Sequence, residues 1–170
     1  MERQFVPSDF SIPLRIETPD FILRKLTTAD VEQDFEAVMS SKESLRQIFC
    51  AHDDWPADHM TLQDNYNDLK EHEDEFDQRA GFAYTVVTVD EHACLGCVYI
   101  YPWFGNRFDA RVYYWVRDSE KARGLDEKLG DFLRHWLQEA WPINDPVFPG
   151  RDMSWEEWEA FTQTSRSQSH

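Results

Sequence analysis

The spacing of apolar residues changes at about residue 118. Residues 111–117 (Arg-Val-Tyr-Tyr-Trp-Val-Arg) are mostly aromatic or β-branched, which predicts a strand. From Leu125 the apolar residues recur every three or four positions and predict a long helix with one buried face: Leu125, Leu129, Phe132, Leu133, Trp136, Leu137 and Ala140. The connecting residues 118–124 are polar and end in Gly124. A strand that enters a helix through such a turn can bind phosphate, because free N–H groups and the helix dipole meet there.

The pattern before this unit predicts an arm, a strand and three helices. Residues 1–17 contain Pro7 and Pro13 and indicate an extended arm or short edge strand, and residues 21–26 predict a strand. Thr27 or Thr28 caps a helix, which is followed by a shorter helix over residues 41–49. Thr61 begins a third helix, whose predicted inner face is Leu62, Tyr66, Leu69 and Phe76. Its outer face is predicted to carry the acids Asp64, Asp68, Glu71, Glu73 and Asp74.

Two further strands, at residues 82–89 and 93–101, are joined by a short polar turn and predict a β-hairpin. With the strand at 111–117 they form an expected three-stranded antiparallel meander. After the long helix, a short strand is predicted around Val147 and Phe148, and Ser154 with Glu157 predicts the start of a terminal helix through Phe161. The predicted organisation is an extended arm over residues 1–17, one domain over 18–161 and a disordered tail over 162–170.

The composition argues against a nucleic-acid-binding or membrane protein. The 170 residues are 41% hydrophobic and carry a net charge of −16, from 33 acidic and 17 basic residues. Such an acidic protein is not expected to bind nucleic acid or an anionic membrane, because both require basic side chains. No apolar run reaches the length of a membrane span and no signal-peptide core is visible, so a cytoplasmic protein is expected. The apolar strand at 93–101 and the aromatic C-terminal segment leave a homodimer open.

Cys94 and Cys97 have the spacing of a metal or redox pair. Residues three apart on a regular strand point to opposite faces, so these thiols are not expected to bind one ion. His52, His59 and His72 show no ligand spacing and are expected at the surface. No metal site is predicted.

The order of elements resembles that of the GNAT superfamily, the acyl-CoA-dependent N-acetyltransferases. Residues 18–30 (TPDFILRKLTTAD) are similar to the opening of the branch that acetylates ribosomal-protein termini and amino-sugar antibiotics. Residues 95–100, followed by Tyr114, Trp115 and Val116, are similar to the third and fourth strands of that branch. The resemblance implies an α+β (α/β) fold, in which helices flank a mixed and mostly antiparallel sheet. It also implies acetyl-CoA as co-substrate and a small-molecule or peptide amine as acceptor.

The resemblance implies a cofactor site at the turn before the long helix. In the superfamily, a basic residue and two small residues there hold the pyrophosphate of CoA. The corresponding residues, with the strand before them, are Trp115, Val116, Lys121, Ala122, Arg123, Gly124, Leu125 and Asp126. Asp126 stands where the family has a second small residue. An ionised Asp126 aimed at the site would weaken acetyl-CoA binding and Asp126→Gly would strengthen it, whereas an Asp126 that stabilises the first helical turn would not matter.

No catalytic residue is assigned by the sequence. The segment that carries the acid tyrosine in many family members is missing after Trp141. Tyr99, Tyr101, Tyr113 and Tyr114 lie on the candidate strands, and Asp53, Asp54 and Glu71 are candidate groups near an amine. Two hypotheses remain open. One is an N-acetyltransferase that acts on an amine, and the other is an inactive GNAT-like binding or scaffolding protein.

Overall fold

The computed structural model of the chain describes residues 4–51 and 53–168, with side chains described as far as Thr164. Its centre is a six-stranded sheet in which the strands follow one another in chain order. The strands are β1 (Arg15–Glu17), β2 (Ile22–Lys25), β3 (Phe82–Val87), β4 (Cys94–Pro102), β5 (Ala110–Val116) and β6 (Pro146–Val147). All neighbouring strands are antiparallel except β5 and β6, which are parallel. The expected α+β architecture and the antiparallel meander are confirmed.

Six α-helices are present in the described part of the chain. They are α1 (Val31–Ser40), α2 (Lys42–Leu45), α3 (Leu62–Asp77), α4 (Asp118–Lys121), α5 (Leu125–Ala140) and α6 (Trp155–Gln168). Capping boxes at Thr27 and Thr61 start the segments that lead into α1 and α3, because each threonine and the aspartate three residues later satisfy free backbone N–H groups. None of the described helices is long and apolar enough to cross a membrane.

The two faces of the sheet have separate cores. One face packs against α5, and its cluster includes Tyr84, Val98, Val112, Leu129 and Leu133. The other face is covered by α1 and α3, and its cluster includes Val38, Leu69, Cys97, Tyr99 and Trp115. Successive residues of β4 and β5 alternate between these cores. Almost every residue of both strands is therefore buried, and their sequences lack the apolar–polar alternation of a half-exposed strand.

The last pair of strands separates early. β5 pairs with β4 along its whole length, from Ala110 opposite Pro102 to beyond Trp115 opposite Cys97. With β6 it pairs only at Ala110 and Arg111. The rest of β5, from Val112 to Val116, therefore has no neighbouring strand on that edge in the described structure. This unpaired edge is where a cleft opens.

Several elements differ from the sequence-based predictions. The helix expected over residues 41–49 is shortened to α2, which ends at Leu45. Leu62 and Tyr66 were expected to face inward but are 43% and 39% exposed, because α3 turns Asn65 and Leu69 toward the sheet instead. The terminal helix does not stop at Phe161 but continues to Gln168. The N-terminal arm packs on the α5-side core through Val6, which is buried.

The end of the chain covers one end of the sheet. Trp158 and Phe161 of α6 lie against Trp103, with ring centroids 5.1 and 5.9 Å apart. Phe108 contacts Phe161 at 5.3 Å. Earlier aromatic residues of the same region, Trp136, Trp141 and Phe148, are part of the α5-side core. The C-terminal aromatic residues thus pack within the domain, in the α5-side core and at one end of the sheet.

Gly96 and Gly124 are each required for a different reason, one for lack of space and the other for its backbone conformation. A Cβ on Gly96 would lie 2.0 Å from the carbonyl oxygen of Trp115, whereas a Cβ on Gly124 would meet nothing within 4 Å but sits at φ 79°. We expect Gly96→Ala to lower the free energy of unfolding by about 3 kcal/mol or more, because a backbone atom must move. Gly124→Ala should lower it by only about 1 kcal/mol, the cost of left-handed backbone. Urea denaturation of both variants measures this, and equal losses would contradict the assignment.

Candidate functional site

A cleft of about 700 Å³ runs along the unpaired edge of β5 and is called the edge cleft below. Its walls come from β5, from the region of α2, from the turn before α5 and from the segment after β6. The lining residues include Leu45, Ile48, Tyr113–Val116, Lys121, Gly124, Asp126, Pro149, Arg151 and Trp155. The backbone groups of β5 that no strand uses are therefore beside an open space that can accept an extended ligand.

The turn before α5 has the geometry of an anion site. Gly124 is the N-cap residue in the left-handed conformation, and its carbonyl accepts the N–H of Lys128 at 3.1 Å. The next N–H groups have no partner within the helix, and the positive end of the helix dipole lies there. The start of the turn is held in place by Arg117, whose guanidinium donates to Glu36 at 2.7 and 2.8 Å. The backbone N–H of Asp118 donates to Ser41 at 2.8 Å.

Asp126 forms a two-pronged ion pair with Arg151. The two guanidinium nitrogens of Arg151 donate to the two carboxylate oxygens at 2.9 and 3.0 Å. Arg151 also donates to the carbonyl oxygen of Tyr114 at 3.0 Å, and it lies 3.6 Å from the centre of that ring. The charge of Asp126 is therefore balanced by a residue that follows it by 25 positions. The sequence offered no periodic signal for this pair.

Most residues named from the sequence as a cofactor site lie together. Trp115, Val116, Lys121, Ala122, Gly124 and Asp126 all line the edge cleft. Leu125 does not, because its side chain is buried in the α5-side core. Arg123 is 78% exposed and lies 3.8 Å from Glu120 outside the cleft. Arg151 and the side chains near α2 were missed, since they are distant in sequence from the turn.

A second cavity of about 370 Å³ lies between α3 and the sheet and is called the helix–sheet pocket below. Its aromatic lining consists of Phe49, Trp55, Tyr99, Tyr101 and Tyr113. Its polar lining consists of Asp34, Asn65, Asp68, Glu71, His72 and Arg111. The combination of an apolar body with few convergent polar groups is typical of small-molecule sites.

The sheet side of this pocket is a ladder of cross-strand pairs. Tyr99 lies opposite Tyr113, and Tyr101 lies opposite Arg111. The hydroxyl of Tyr99 accepts the indole N–H of Trp115 at 3.1 Å. Tyr114 points to the other face of β5, where it contacts the ring of Phe148. The candidate tyrosines Tyr99, Tyr101 and Tyr113 are thus brought together, and Tyr114 is separated from them.

Tyr113 lines both the edge cleft and the helix–sheet pocket. Its burial raises the pKa of its hydroxyl, and Arg111 acts in the opposite direction. A tyrosine whose raised pKa keeps it protonated at neutral pH therefore lines both cavities.

His72 is not the surface residue that the sequence suggested. Its ring lies 5.3 Å from that of Tyr99, and burial lowers the pKa of its imidazole to about 4. Its position, three residues after Leu69 and four before Phe76, puts it on the buried face of α3, a signal that was present in the sequence. His59 is exposed as expected, and His52 lies outside the described residues.

Asp53 and Asp54, which the sequence suggested as groups near the acceptor amine, do not line the helix–sheet pocket. The carboxylate of Asp53 accepts the backbone N–H of Trp55 at 3.1 Å, and Asp54 is exposed. Glu71 does line the pocket.

Asp34, Cys94 and Cys97 form a buried cluster beside the pocket, with one ligand-type atom of each lying within 4.8 Å of the others. The expectation that the two thiols face opposite ways is wrong. A β-bulge shifts the register of β3 and β4 between Val86 and Val87, so Val87 pairs with Cys94 while Val86 pairs with Gly96. One extra residue reverses the alternation and turns both thiols to one face.

The thiol of Cys97 donates to Asp34 at 3.2 Å, and the amide of Asn65 donates to the same carboxyl group at 2.9 Å. Burial raises the pKa of Asp34 to about 6.

Comparison with known proteins supports the fold alone. No protein-family model matches the sequence, and no curated protein matches it. Among solved structures, the ribosomal-protein-S5-alanine acetyltransferase from Vibrio fischeri aligns with a TM-score of 0.60 at 15% identity, covering 75% of this chain and 69% of that one. RimL, a ribosomal L7/L12 α-N-protein acetyltransferase, aligns with a TM-score of 0.58 at 16% identity, and the alignment covers 78% of this chain and 70% of that one.

A third similar structure is the microcin C7 self-immunity acetyltransferase MccE in complex with acetyl-CoA and AMP. It aligns with a TM-score of 0.60 at 11% identity and covers 77% of this chain and 69% of that one. The fold is therefore that of the GNAT acetyltransferases, and the resemblance seen in the sequence is confirmed at that level. Ribosomal-protein acetyltransferases are among the structural neighbours.

Asp34 and His72 should give opposite pH dependences of stability. The pKa of Asp34 is raised from 3.8 to about 6. The contribution of this shift to the free energy of unfolding is therefore present below pH 3.8 and is lost as pH rises through 6. The pKa of His72 is lowered from 6.5 to about 4, so its contribution is present above pH 6.5 and is lost as pH falls through 4. Each shift corresponds to about 3 kcal/mol.

We therefore expect Asp34→Asn to gain stability relative to the native protein as pH rises from 4 to 7. His72→Gln should gain relative stability as pH falls over the same range. Urea unfolding at a series of pH values measures both differences. Differences that stay constant with pH would show that these groups titrate as in the unfolded chain.

Proposed function

We propose that the protein transfers an acyl group from an acyl-CoA, with acetyl-CoA as the expected donor, to the amine of a molecule held in the helix–sheet pocket. The observation that carries this proposal is that Tyr113 lines both cavities. A donor in the edge cleft and an acceptor in the pocket would bring their reacting groups together at this residue. Acyl transfer by direct attack requires such an approach of two substrates.

The edge cleft suits a CoA-like donor. The N–H groups at the start of α5 offer positive potential for a pyrophosphate. Lys121 and Arg151 line the cleft there, and each is paired with an aspartate that a phosphate would have to compete with. The unpaired edge of β5 from Val112 onward offers backbone groups for an amide-containing arm, except the carbonyl of Tyr114, which already accepts from Arg151. RimL has been solved in complex with coenzyme A and MccE with acetyl-CoA, which supports the same class of donor here.

The pocket offers groups for each proton transfer. The amine nitrogen must lose a proton before or while it attacks the thioester carbon, and the departing thiolate must gain one when the C–S bond breaks. His72 is neutral at pH 7 because its pKa is lowered, and together with Glu71 it is a candidate base. Tyr113 is protonated because its pKa is raised, and it lines both cavities, so it is the candidate acid.

A second candidate function is binding without turnover. It is favoured by the Asp126–Arg151 ion pair, which places a carboxylate at the turn where the superfamily has a small residue. The structural neighbours that modify ribosomal proteins also make a peptide or protein acceptor a candidate partner for either function. Mass spectrometry of the natively purified protein tests donor binding, because retained CoA would show that the protein binds it.

Replacement of Tyr113 should affect chemistry more than donor binding. We expect Tyr113→Phe to lower the rate of acyl transfer by about 10²-fold or more, because a positioned acid contributes about that much. Acetyl-CoA affinity should change little. The assay follows the acylated product by mass spectrometry with a panel of amines.

Tyr66→Phe is the matched control, since Tyr66 is exposed on α3 and lines neither cavity. No acylated product from any amine, with no acetyl-CoA binding, would reject the enzyme hypothesis. Product formation at native rate by Tyr113→Phe would remove the role of Tyr113 while leaving the reaction intact.

The ion pair at the turn should control donor affinity. Arg151→Ala leaves the charge of Asp126 unbalanced, and repulsion of a phosphate about 4 Å away amounts to ~1 to ~4 kcal/mol depending on exposure. We expect acetyl-CoA binding to weaken about tenfold or more in Arg151→Ala, and to strengthen in Asp126→Asn, where Arg151 is released. Calorimetric titration measures both.

Arg134→Ala is the matched control, because Arg134 forms a similar ion pair with Asp152 outside the cleft. Equal affinity in the native protein, Arg151→Ala and Asp126→Asn would show that the pair lies out of reach of the donor.

A further inference from the structure

Within residues 4–51 and 53–164, Arg79, Arg107 and Arg111 are the arginines that no ion pair includes, and of these three Arg111 is the one that lines either cavity. Arg15, Arg24, Arg46, Arg117, Arg123, Arg134 and Arg151 each lie within 4.0 Å of a carboxylate. Arg111 instead lines the helix–sheet pocket, with its guanidinium carbon 5.5 Å from the ring centre of Tyr101. An arginine kept apart from acids beside a cavity can pair with an anionic group of a ligand.

Unsatisfied polar atoms concentrate around the same pocket. In the described structure, the buried side-chain atoms without a hydrogen-bond partner are Asn65 Oδ1, His72 Nδ1, Arg111 Nε and Trp141 Nε1. Three of these residues, Asn65, His72 and Arg111, line the pocket. Asn65 is fully buried, so its free carbonyl cannot be satisfied by bulk water. Buried groups without partners are costly, and their grouping around one cavity indicates that a ligand supplies the partners.

The opposite wall of the pocket has the opposite charge. Asp68 and Glu71 of α3 line it, and burial raises the pKa of Asp68. The pocket therefore offers carboxylates on the helix side and a guanidinium on the sheet side. The rings of Trp55, Tyr99 and Tyr101 also line the pocket and favour both an apolar body and an ammonium group.

We infer that the helix–sheet pocket binds a small zwitterion, a free amino acid with an aromatic or large apolar side chain, whose carboxylate pairs with Arg111 and whose ammonium faces Asp68 and Glu71. The inference rests on the proposed function only in treating that amine as the acyl acceptor. The volume of about 370 Å³ is at the lower end of small-molecule pockets. A free carboxylate distinguishes this ligand from the N-terminus of a protein, where an uncharged peptide group takes its place.

Binding can be measured without any acyl donor, which separates this inference from the proposed function. The probes are phenylalanine, phenethylamine, 3-phenylpropanoate and phenylalanine amide, titrated calorimetrically into the full chain. Together they vary the ammonium and the carboxylate around one ring. We expect phenylalanine to bind about tenfold or more tightly than each of the others, a difference of about 1.4 kcal/mol.

Substitutions test the two ends of the pocket separately. Arg111→Gln should remove the advantage of phenylalanine over phenethylamine and leave phenethylamine affinity unchanged, whereas Arg111→Lys should keep part of the advantage. Glu71→Gln should weaken phenylalanine and phenethylamine but not 3-phenylpropanoate. Arg107→Gln is the control, because Arg107 stacks on Phe108 and does not line the pocket. Circular dichroism of each variant confirms that it is folded.

Three results would overturn the inference. They are equal affinity for phenylalanine and its amide, unchanged phenylalanine binding in Arg111→Gln, and no binding of any probe in the millimolar range. Selective phenylalanine binding without acylated product would uphold the inference while the proposed acyl transfer fails. Acylated product from amines that lack a carboxylate, with no preference for phenylalanine in binding, would uphold the proposed acyl transfer and reject the inference.

Discussion

The early separation of β5 from β6 is the constraint on which both cavities depend. A parallel pair of only two residues leaves the rest of β5 with one hydrogen-bonded neighbour, β4. On the other side the carbonyl of Tyr114 accepts from Arg151, and no strand uses the remaining backbone groups, so a ligand can lie along them. The same strand then leads directly into the turn before α5. Tyr113, two residues beyond the last residue paired with β6, consequently stands between the edge cleft and the helix–sheet pocket.

The segment after β6 closes the cleft on its far side and supplies a charge there. Pro149, Gly150 and Arg151 line the cleft, and Arg151 joins Asp126 of α5 to the carbonyl of Tyr114 on β5. One guanidinium thus connects the helix and the strand that diverge at the cleft. This arrangement makes Asp126, a poor residue for phosphate binding when alone, one half of a neutral pair.

The polar groups around the helix–sheet pocket carry a cost that packing alone does not explain. Asp34 is buried with a raised pKa, His72 is buried with a lowered pKa, and Asn65 has an unsatisfied carbonyl. Apolar residues of similar size would remove these penalties. Such penalties are common where a protein keeps polar groups for binding or catalysis, because the groups must be oriented before the ligand arrives.

Local periodicity in the sequence determined the elements: the strand at 110–116, the amphipathic α5, the hairpin before them and the turn at Gly124. These follow from spacing and capping, which act over a few residues. The order of these elements carried the resemblance that implied the fold class and eight site residues, six of which line the edge cleft. The tertiary structure alone decided the contacts between distant segments. Arg151 reaches Asp126, a bulge turns Cys94 to the face of Cys97, and α3 places His72 in the pocket that Arg111 also lines. Such contacts depend on how elements pack and on a one-residue change of register, neither of which leaves a periodic signal in the chain.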